Sequence, residues 1–533
     1  MGASSRFFAS FAFVLASVAS AAAPPAAAAG GYDASALLAK HRAFVGWQDG
    51  DGSIATLRTV ENHRSAPNGG KPGDAVVTTV VTLRRGLVER STRSSAQSKV
   101  TTSSGFSGHV FWDANENGNV VKVREHQARE SLAVDFVLGE ATTALTGTLQ
   151  PTQKIEGRDV PVVRVTPPDG IPIDLAIDPE SGAYLSATID PESRYERRTM
   201  HVDRYREVAP GKKIVGMYRF DAGTAYEVTE ARANLAVNND DLGPPKATSR
   251  WTFGSVEPLP IEIRDEGLGN SVTVRAKVNG SEGTFLLDSG ASMILLFDSF
   301  AQRLQLEDLG ATGYSGVNGG FVKAHLARVR DFAFGDSVLH DVIVQAGSKG
   351  KWSSGLDGIL GYDFLANAIV DVDLPHQRLR ILDPERFAPK IEKGAFAFPI
   401  DLTTETPAIA ISAAGASARP VLDSGNSFGV VVSNALHESG KIASFAADLN
   451  RGGWESAHVR FLGVDGAASS PAQCERIGEM KIGPYRYAYA PLCFGDPQVF
   501  GDDGGLIGFD FLRHFNWTFD YPDEMLVLTP NGR

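Results

Sequence analysis

Cysteine is almost missing from this sequence. Cys474 and Cys493 are the only two among 533 residues; on their own they cannot make a zinc site, and they either bridge each other or stand as two buried thiols. An excess of positive charge is missing too. The formal net charge is -12 and no basic run of motif length occurs, so no overall field favours nucleic acid or an anionic membrane. After the first residues no stretch is long and apolar enough to cross a bilayer. His41, His63, His109, His126 and His201 are scattered without metal-ligand spacing, and neither a metal nor a cofactor is implied. A Gly-x-Ser-x-Gly elbow, a His-Glu-x-x-His helix and a phosphate loop are all absent. Ser424-Gly425-Asn426 comes with no visible His/Asp arrangement for nucleophilic hydrolysis.

What is present leans toward strands. A hydrophobic fraction of 43% is ordinary for globular protein, and 56 Gly and 28 Pro among frequent Val, Ile, Thr and Phe favour strands and turns over long helices. The fold class expected is mainly β. The length exceeds one hydrophobic core and suggests three or four units at about 150 residues each.

The first segment is expected to be a secretory signal. Arg6 precedes an apolar and small-residue run from Phe7 to Val18, and Ala19-Ser20-Ala21 supplies a small-residue cleavage site. Residues 1–21 are therefore assigned to the signal and 22–31 to a disordered Ala/Pro/Gly lead, which makes the chain exported, to a periplasm or outside. In an oxidising compartment Cys474 and Cys493 could bridge the hairpin predicted around Met480-Lys481-Ile482-Gly483-Pro484-Tyr485.

Residues 32–245 carry no recognisable chemistry. A helix is predicted from Ala34 to His41. β-branched runs follow, such as Val76-Val77-Thr78-Thr79-Val80-Val81 and Val162-Val163-Arg164-Val165, separated by turn signals including Asn115-Glu116-Asn117-Gly118 and Asp178-Pro179-Glu180-Ser181-Gly182. The expectation is a β-rich domain with a large antiparallel sheet. One helix followed by meandering strands resembles, in pattern, the periplasmic lipoprotein-carrier type of half-barrel. Asn238-Asn239-Asp240-Asp241-Leu242-Gly243-Pro244-Pro245 reads as a linker.

After the linker the chain repeats itself. Phe285-Leu286-Leu287-Asp288-Ser289-Gly290-Ala291-Ser292 returns as Pro420-Val421-Leu422-Asp423-Ser424-Gly425-Asn426-Ser427. Each copy ends an apolar strand in an Asp, a costly placement unless the carboxylate is used. Downstream, Gly358-Ile359-Leu360-Gly361-Tyr362-Asp363-Phe364-Leu365 matches Gly505-Leu506-Ile507-Gly508-Phe509-Asp510-Phe511-Leu512, and each half finishes in a strand-like tail. Four correspondences in one order indicate a repeated domain, placed at 255–390 and 391–533.

Here the chain resembles the aspartic peptidases of the pepsin and retropepsin type, whose signature is an Asp-Thr/Ser-Gly triplet after an apolar strand, joined later by two apolar residues and a Gly. The resemblance covers about residues 255 to 533 and implies a bilobal double β-barrel. It implies Asp288 and Asp423 as the catalytic pair, a polypeptide substrate, and one chain acting as a pseudo-dimer, possible as a monomer. Two facing carboxyls cannot both ionise easily, so they share a proton and supply base and acid at one site. Gly290 and Gly425 allow close backbone approach. Ser289 and Ser424, where Thr is commoner, can bond across the lobe contact, and Ser292 and Ser427 could bond the outer carboxylate oxygens. A covering flap is expected at 313–320, with Tyr314, Gly316, Gly319 and Gly320 as candidates, and an analogue at 461–466. Asp363, Asp371, Asp373, Asp510 and Asp520 read as structural or exposed. The alternatives are a non-catalytic periplasmic peptide- or lipid-binding protein on a peptidase-like scaffold, and lobes that pair with those of a second chain.

Overall fold

The computed structural model describes residues 31–65, 76–168, 170–193, 197–221, 224–265, 270–316, 321–348, 355–413, 415–438, 457–459, 472–476, 479–488 and 491–532. The expected signal, most of the lead after it, Gly319, Gly320 and the second covering loop at 461–466 lie outside the described residues. The chain is mainly β. No helix among the described residues is long and apolar enough to cross a membrane.

The first helix, α1 (Ala34–Val45), is longer than its sequence signal. Asp33 caps it by accepting the Ala36 N–H at 2.7 Å, and Gly46 ends it with φ 77°. A side chain at Gly46 would collide with the Gly211 carbonyl, 2.0 Å from an ideal Cβ.

The N-terminal sheet is antiparallel and grows in two arms from Leu57–Ser65. One arm runs through Val76–Arg85, Val88–Ser95, Ser98–Phe106, Phe111–Ala114 and Val120–Val123. The other runs through Ala225–Ala233, Lys212–Phe220, Arg198–Ala209, Tyr184–Ile189, Ile173–Ile177, Arg158–Val165 and Thr148–Ile155. A second helix, α2 (Glu125–Leu138), was not expected from the pattern of one helix followed by strands.

Leu37 and Leu38 of α1 and Ala133, Phe136 and Val137 of α2 pack with Val163, Leu175, Tyr184, Met200 and Val215 of the sheet in one core. Both helices thus spend their apolar residues on the sheet face. His41, fully buried, bonds Glu140 at 2.9 Å and the Gly182 carbonyl at 2.7 Å and stacks on Tyr184.

Two units follow and join through a shared antiparallel sheet. Its order is Leu259–Asp265, Arg378–Leu382, Ile369–Asp373, Phe515–Asp520, Met525–Pro530, Phe396–Pro399, three strands from each unit, with the seam between Ile369–Asp373 and Phe515–Asp520. Within each unit the pairing repeats. Ser281–Leu287 runs parallel to Gly358–Leu360, which is antiparallel to Leu295–Phe297; Val421–Leu422 runs parallel to Gly505–Ile507, which is antiparallel to Val430–Ser433. One core crosses from Phe285 and Phe332 through Val370 and Trp517 to Leu422 and Phe494.

The N-terminal part is fastened to both units. Ser98 pairs with Gly310, Val121 enters the common core, and Arg124 pairs with Glu524 while its N–H donates to Thr403 Oγ1 at 2.8 Å. The cysteines are opposite each other on Ala472–Arg476 and Pro491–Gly495 and are joined by a disulfide. The hairpin expected between them, Glu479–Ile482 with Tyr485–Ala488, exists but pairs with Ile411–Ala413 in another sheet, so the bond fastens the strands that flank it.

Candidate active site

An apolar strand delivers each Asp. Phe285, Leu286 and Leu287 are buried, as is Leu422, because a strand covered on both faces must be apolar throughout. Each chain then leaves its strand at the Asp. The Asp288 N–H still donates to the Leu360 carbonyl at 3.0 Å and the Asp423 N–H to the Ile507 carbonyl at 2.8 Å, so the parallel strand carrying the downstream Gly motif holds both acids in matching places.

The serines cross between the units. Ser289 Oγ donates to Leu422 O at 2.7 Å and accepts the Ser424 N–H at 3.0 Å; Ser424 Oγ donates to Leu287 O at 2.9 Å and accepts the Ser289 N–H at 3.0 Å. Both are buried, where a lost partner is expensive. An ideal Cβ on Gly290 would stand 2.4 Å from Asp423 Cγ, and one on Gly425 2.4 Å from Asp288 Cγ. Only glycine lets each carboxyl lie over the opposing loop.

The two carboxyls face each other across these glycines, close enough to be coupled. Asp288 Oδ1 accepts the Gly290 N–H at 2.9 Å, whereas Asp423 Oδ1 accepts two, from Gly425 and Asn426, both at 3.0 Å. Burial first, and then the charge of Asp423, hold Asp288 well above the usual carboxyl range. Burial also raises Asp423, against the hydrogen bonds it accepts from Asp288 and from the Asn426 and Gly425 backbone. The pair shares one proton, and the Asn426 N–H that Asp423 accepts favours the negative charge on that side. Each Asp residue keeps some exposed surface, through which water can enter.

Other predicted positions fare differently. Ser292 is exposed and has no bond to the Asp288 carboxyl; backbone N–H groups fill that role, because the chain turns at Gly290 and carries Ser292 outward. Ser427 is half-buried. Tyr314 lies on Glu307–Ser315, which forms a hairpin with Phe321–Phe334. Its hydroxyl donates to Ser348 O at 2.5 Å, and its ring packs on a cluster of Leu286, Leu295, Phe297, Leu356 and Ile359 that also includes Ala291, three residues past Asp288. Gly316 is buried at the end of that strand.

Two features escaped the sequence reading. The Asn426 N–H is a main-chain donor, for which no side-chain pattern gives a signal. Asp363, read as structural or exposed, is fully buried and tied to the N-terminal sheet; the run Asn115-Glu116-Asn117-Gly118-Asn119 was the available signal, read only as a turn.

A family model described as aspartyl protease matches residues 274–364. The span takes in the Asp288 triplet and the Gly358–Leu360 strand and stops short of Asp423. No curated protein matches the chain.

Proposed function

We propose, with that similarity as premise, that the chain is an exported aspartic endopeptidase whose two units are the lobes of a double β-barrel and whose catalytic pair is Asp288 and Asp423. The observation that carries this reading is the facing of the two carboxyls, each over the glycine of the opposing loop, held in place by the crossed Ser289 and Ser424 bonds. Because both acids come from one chain, the arrangement supports an intramolecular pair over lobes shared with a second copy. The disulfide supports an oxidising compartment.

The chemistry follows from the proton's place. Asp423 takes a proton from water as the water oxygen attacks the scissile carbonyl carbon, and Asp288 gives its proton to the carbonyl oxygen. The neutral diol then collapses: Asp423 passes its proton to the departing nitrogen, Asp288 takes one back from a diol hydroxyl, and the C–N bond breaks. The products are a carboxylic acid and an amine, and the pair returns to its starting state. An extended peptide lying under the Tyr314 hairpin would meet Tyr314 and Ala291, the partly buried residues packed on the cluster of Leu286 and Ile359.

A ligand-capturing N-terminal sheet has less support. The face that would hold an apolar ligand is occupied by α1 and α2.

The test is cleavage of denatured polypeptide from acidic to neutral pH by the full chain, Asp288→Asn and Asp423→Asn. Each substitution is expected to lower kcat by at least about 100-fold, the scale of a lost acid or base. No cleavage by the unaltered chain at any pH, or cleavage that both variants retain, overturns the reading.

A further inference from the structure

The repeat contains its own control for one buried acid. Asp363 and Asp510 occupy the same place in the two units, in the helical turns Tyr362–Leu365 and Phe509–Leu512 that follow Gly361 and Gly508. Asp510 is exposed and lies 3.7 Å from Arg513 of its own turn. Asp363 is fully buried. Its Oδ1 accepts Asn115 Nδ2 at 2.7 Å and Asn119 Nδ2 at 2.9 Å, while its Oδ2 is buried with no partner. Both donors come from the N-terminal sheet, at the turn between Phe111–Ala114 and Val120–Val123.

That turn is shaped around the acid. Asn115 Oδ1 accepts the N–H groups of Asn117 and Asn119, each at 3.0 Å, which fixes its amide with Nδ2 facing Asp363. Asn119 Oδ1 accepts Asn367 Nδ2 at 2.7 Å. Asn117 imitates a strand partner to Ile343, accepting its N–H at 2.6 Å and donating to its carbonyl at 2.8 Å. Glu116, in the same turn, is the charged neighbour, and its carboxylate opposes ionisation of Asp363.

Asp363 is one residue from the Asp288 loop in bonding terms. The Tyr362 N–H donates to Ala291 O at 2.9 Å, the Ala291 N–H to Asp288 O at 3.3 Å, and Leu360 O accepts the Asp288 N–H. We infer that the 115–119 turn is a positioning element of the peptidase site, holding the Asp288 loop through Asp363, which makes the N-terminal domain a working part of the enzyme and not a removable pro-part. The inference rests on the peptidase reading.

A buried carboxylate held only by neutral amides, with one bare oxygen, is under-solvated; burial raises Asp363 to about 6 against the pull of Asn115 and Asn119 and, less, of Asn117. Remove the asparagines and the ionised form loses its donors, whereas the protonated form loses much less. The defect is therefore large where Asp363 is charged and small where it is neutral.

The test uses the full chain with Asn115→Ala/Asn119→Ala, the same pair combined with Asp363→Asn, and Asp510→Asn as control. Peptide hydrolysis is measured near pH 7 and near pH 4.5, on either side of the Asp363 transition. The asparagine pair is expected to cut kcat about tenfold or more near pH 7 with KM little changed, the scale of a sub-ångström misplacement. It should recover near pH 4.5 and on adding Asp363→Asn, and Asp510→Asn should match the unaltered chain. An unchanged kcat, or a loss equal at both pH values and not rescued by Asp363→Asn, overturns the inference. If the unaltered chain cuts nothing, the peptidase reading falls and amide hydrogen exchange at residues 288–291 decides. Faster exchange near pH 7, reversed by Asp363→Asn, supports the positioning role; unchanged exchange overturns it.

Discussion

Ser289 and Ser424 lack the methyl of the more frequent threonine, yet each hydroxyl both donates and accepts across the boundary between the units. Replacing either by Ala strands a buried N–H and a buried carbonyl, so each substitution should cost about 1–3 kcal/mol, readable as a lower denaturation midpoint. Replacing either by Thr keeps the bonds and should cost far less. The Asp pair was legible because a costly residue at the end of an apolar strand occurred twice with the same downstream Gly motif. The placement of Ser292 was not, since the direction of a side chain after Gly290 depends on the turn the loop makes. The extra Asn426 N–H on Asp423 was equally hidden, because it is a group every residue but proline has.

Among elements, apolar strands and their turns were readable from periodicity and Gly/Asp/Asn punctuation. Helix α2 was missed: Leu132, Ala133, Phe136 and Val137 lie on a helical face, but Glu125, Arg129, Glu130 and Asp135 interrupt the run, and its helical state depends on the sheet it covers. The cysteine pair shows a similar limit. Spacing suggested a bridged hairpin, while the partners are strands of a different sheet. Replacing both cysteines by Ala should lower stability by about 3 kcal/mol for a loop of this size, measured by denaturant unfolding. The Tyr314 hydroxyl ties its hairpin to Ser348. On the proposed function, Tyr314→Phe should therefore raise KM more than it lowers kcat, as loss of a contact that orders this hairpin and not of one that moves a proton.

For the whole molecule, the N-terminal sheet is not a bystander. It pairs with the Tyr314 strand at Gly310, sends Val121 into the common core and covers Asp363. The run 238–245, read as a linker, lies between the strands Ala225–Ala233 and Arg250–Thr252; the sequence carried no sign that the parts on either side of it share a core, since such contacts are distant in sequence. The buried acid gives this contact a pH signature. Its folded value, about 6, lies above the ordinary 3.8, so the folded state holds the proton more tightly. The resulting stabilisation is full below about pH 4 and is lost as pH rises through about 6, on the order of 3 kcal/mol. Denaturant unfolding of the unaltered chain should show this gain on acidification, and Asp363→Asn should remove it.

The most direct measurement of the central claim is peptide hydrolysis in water enriched in heavy oxygen, with the products weighed by mass spectrometry. Direct attack by water between Asp288 and Asp423 predicts one solvent oxygen in each new carboxyl terminus, with no adduct on the protein, and the loss of these products in Asp288→Asn and Asp423→Asn. A covalent acyl adduct on the protein, or labelled products that persist in both variants, would contradict it.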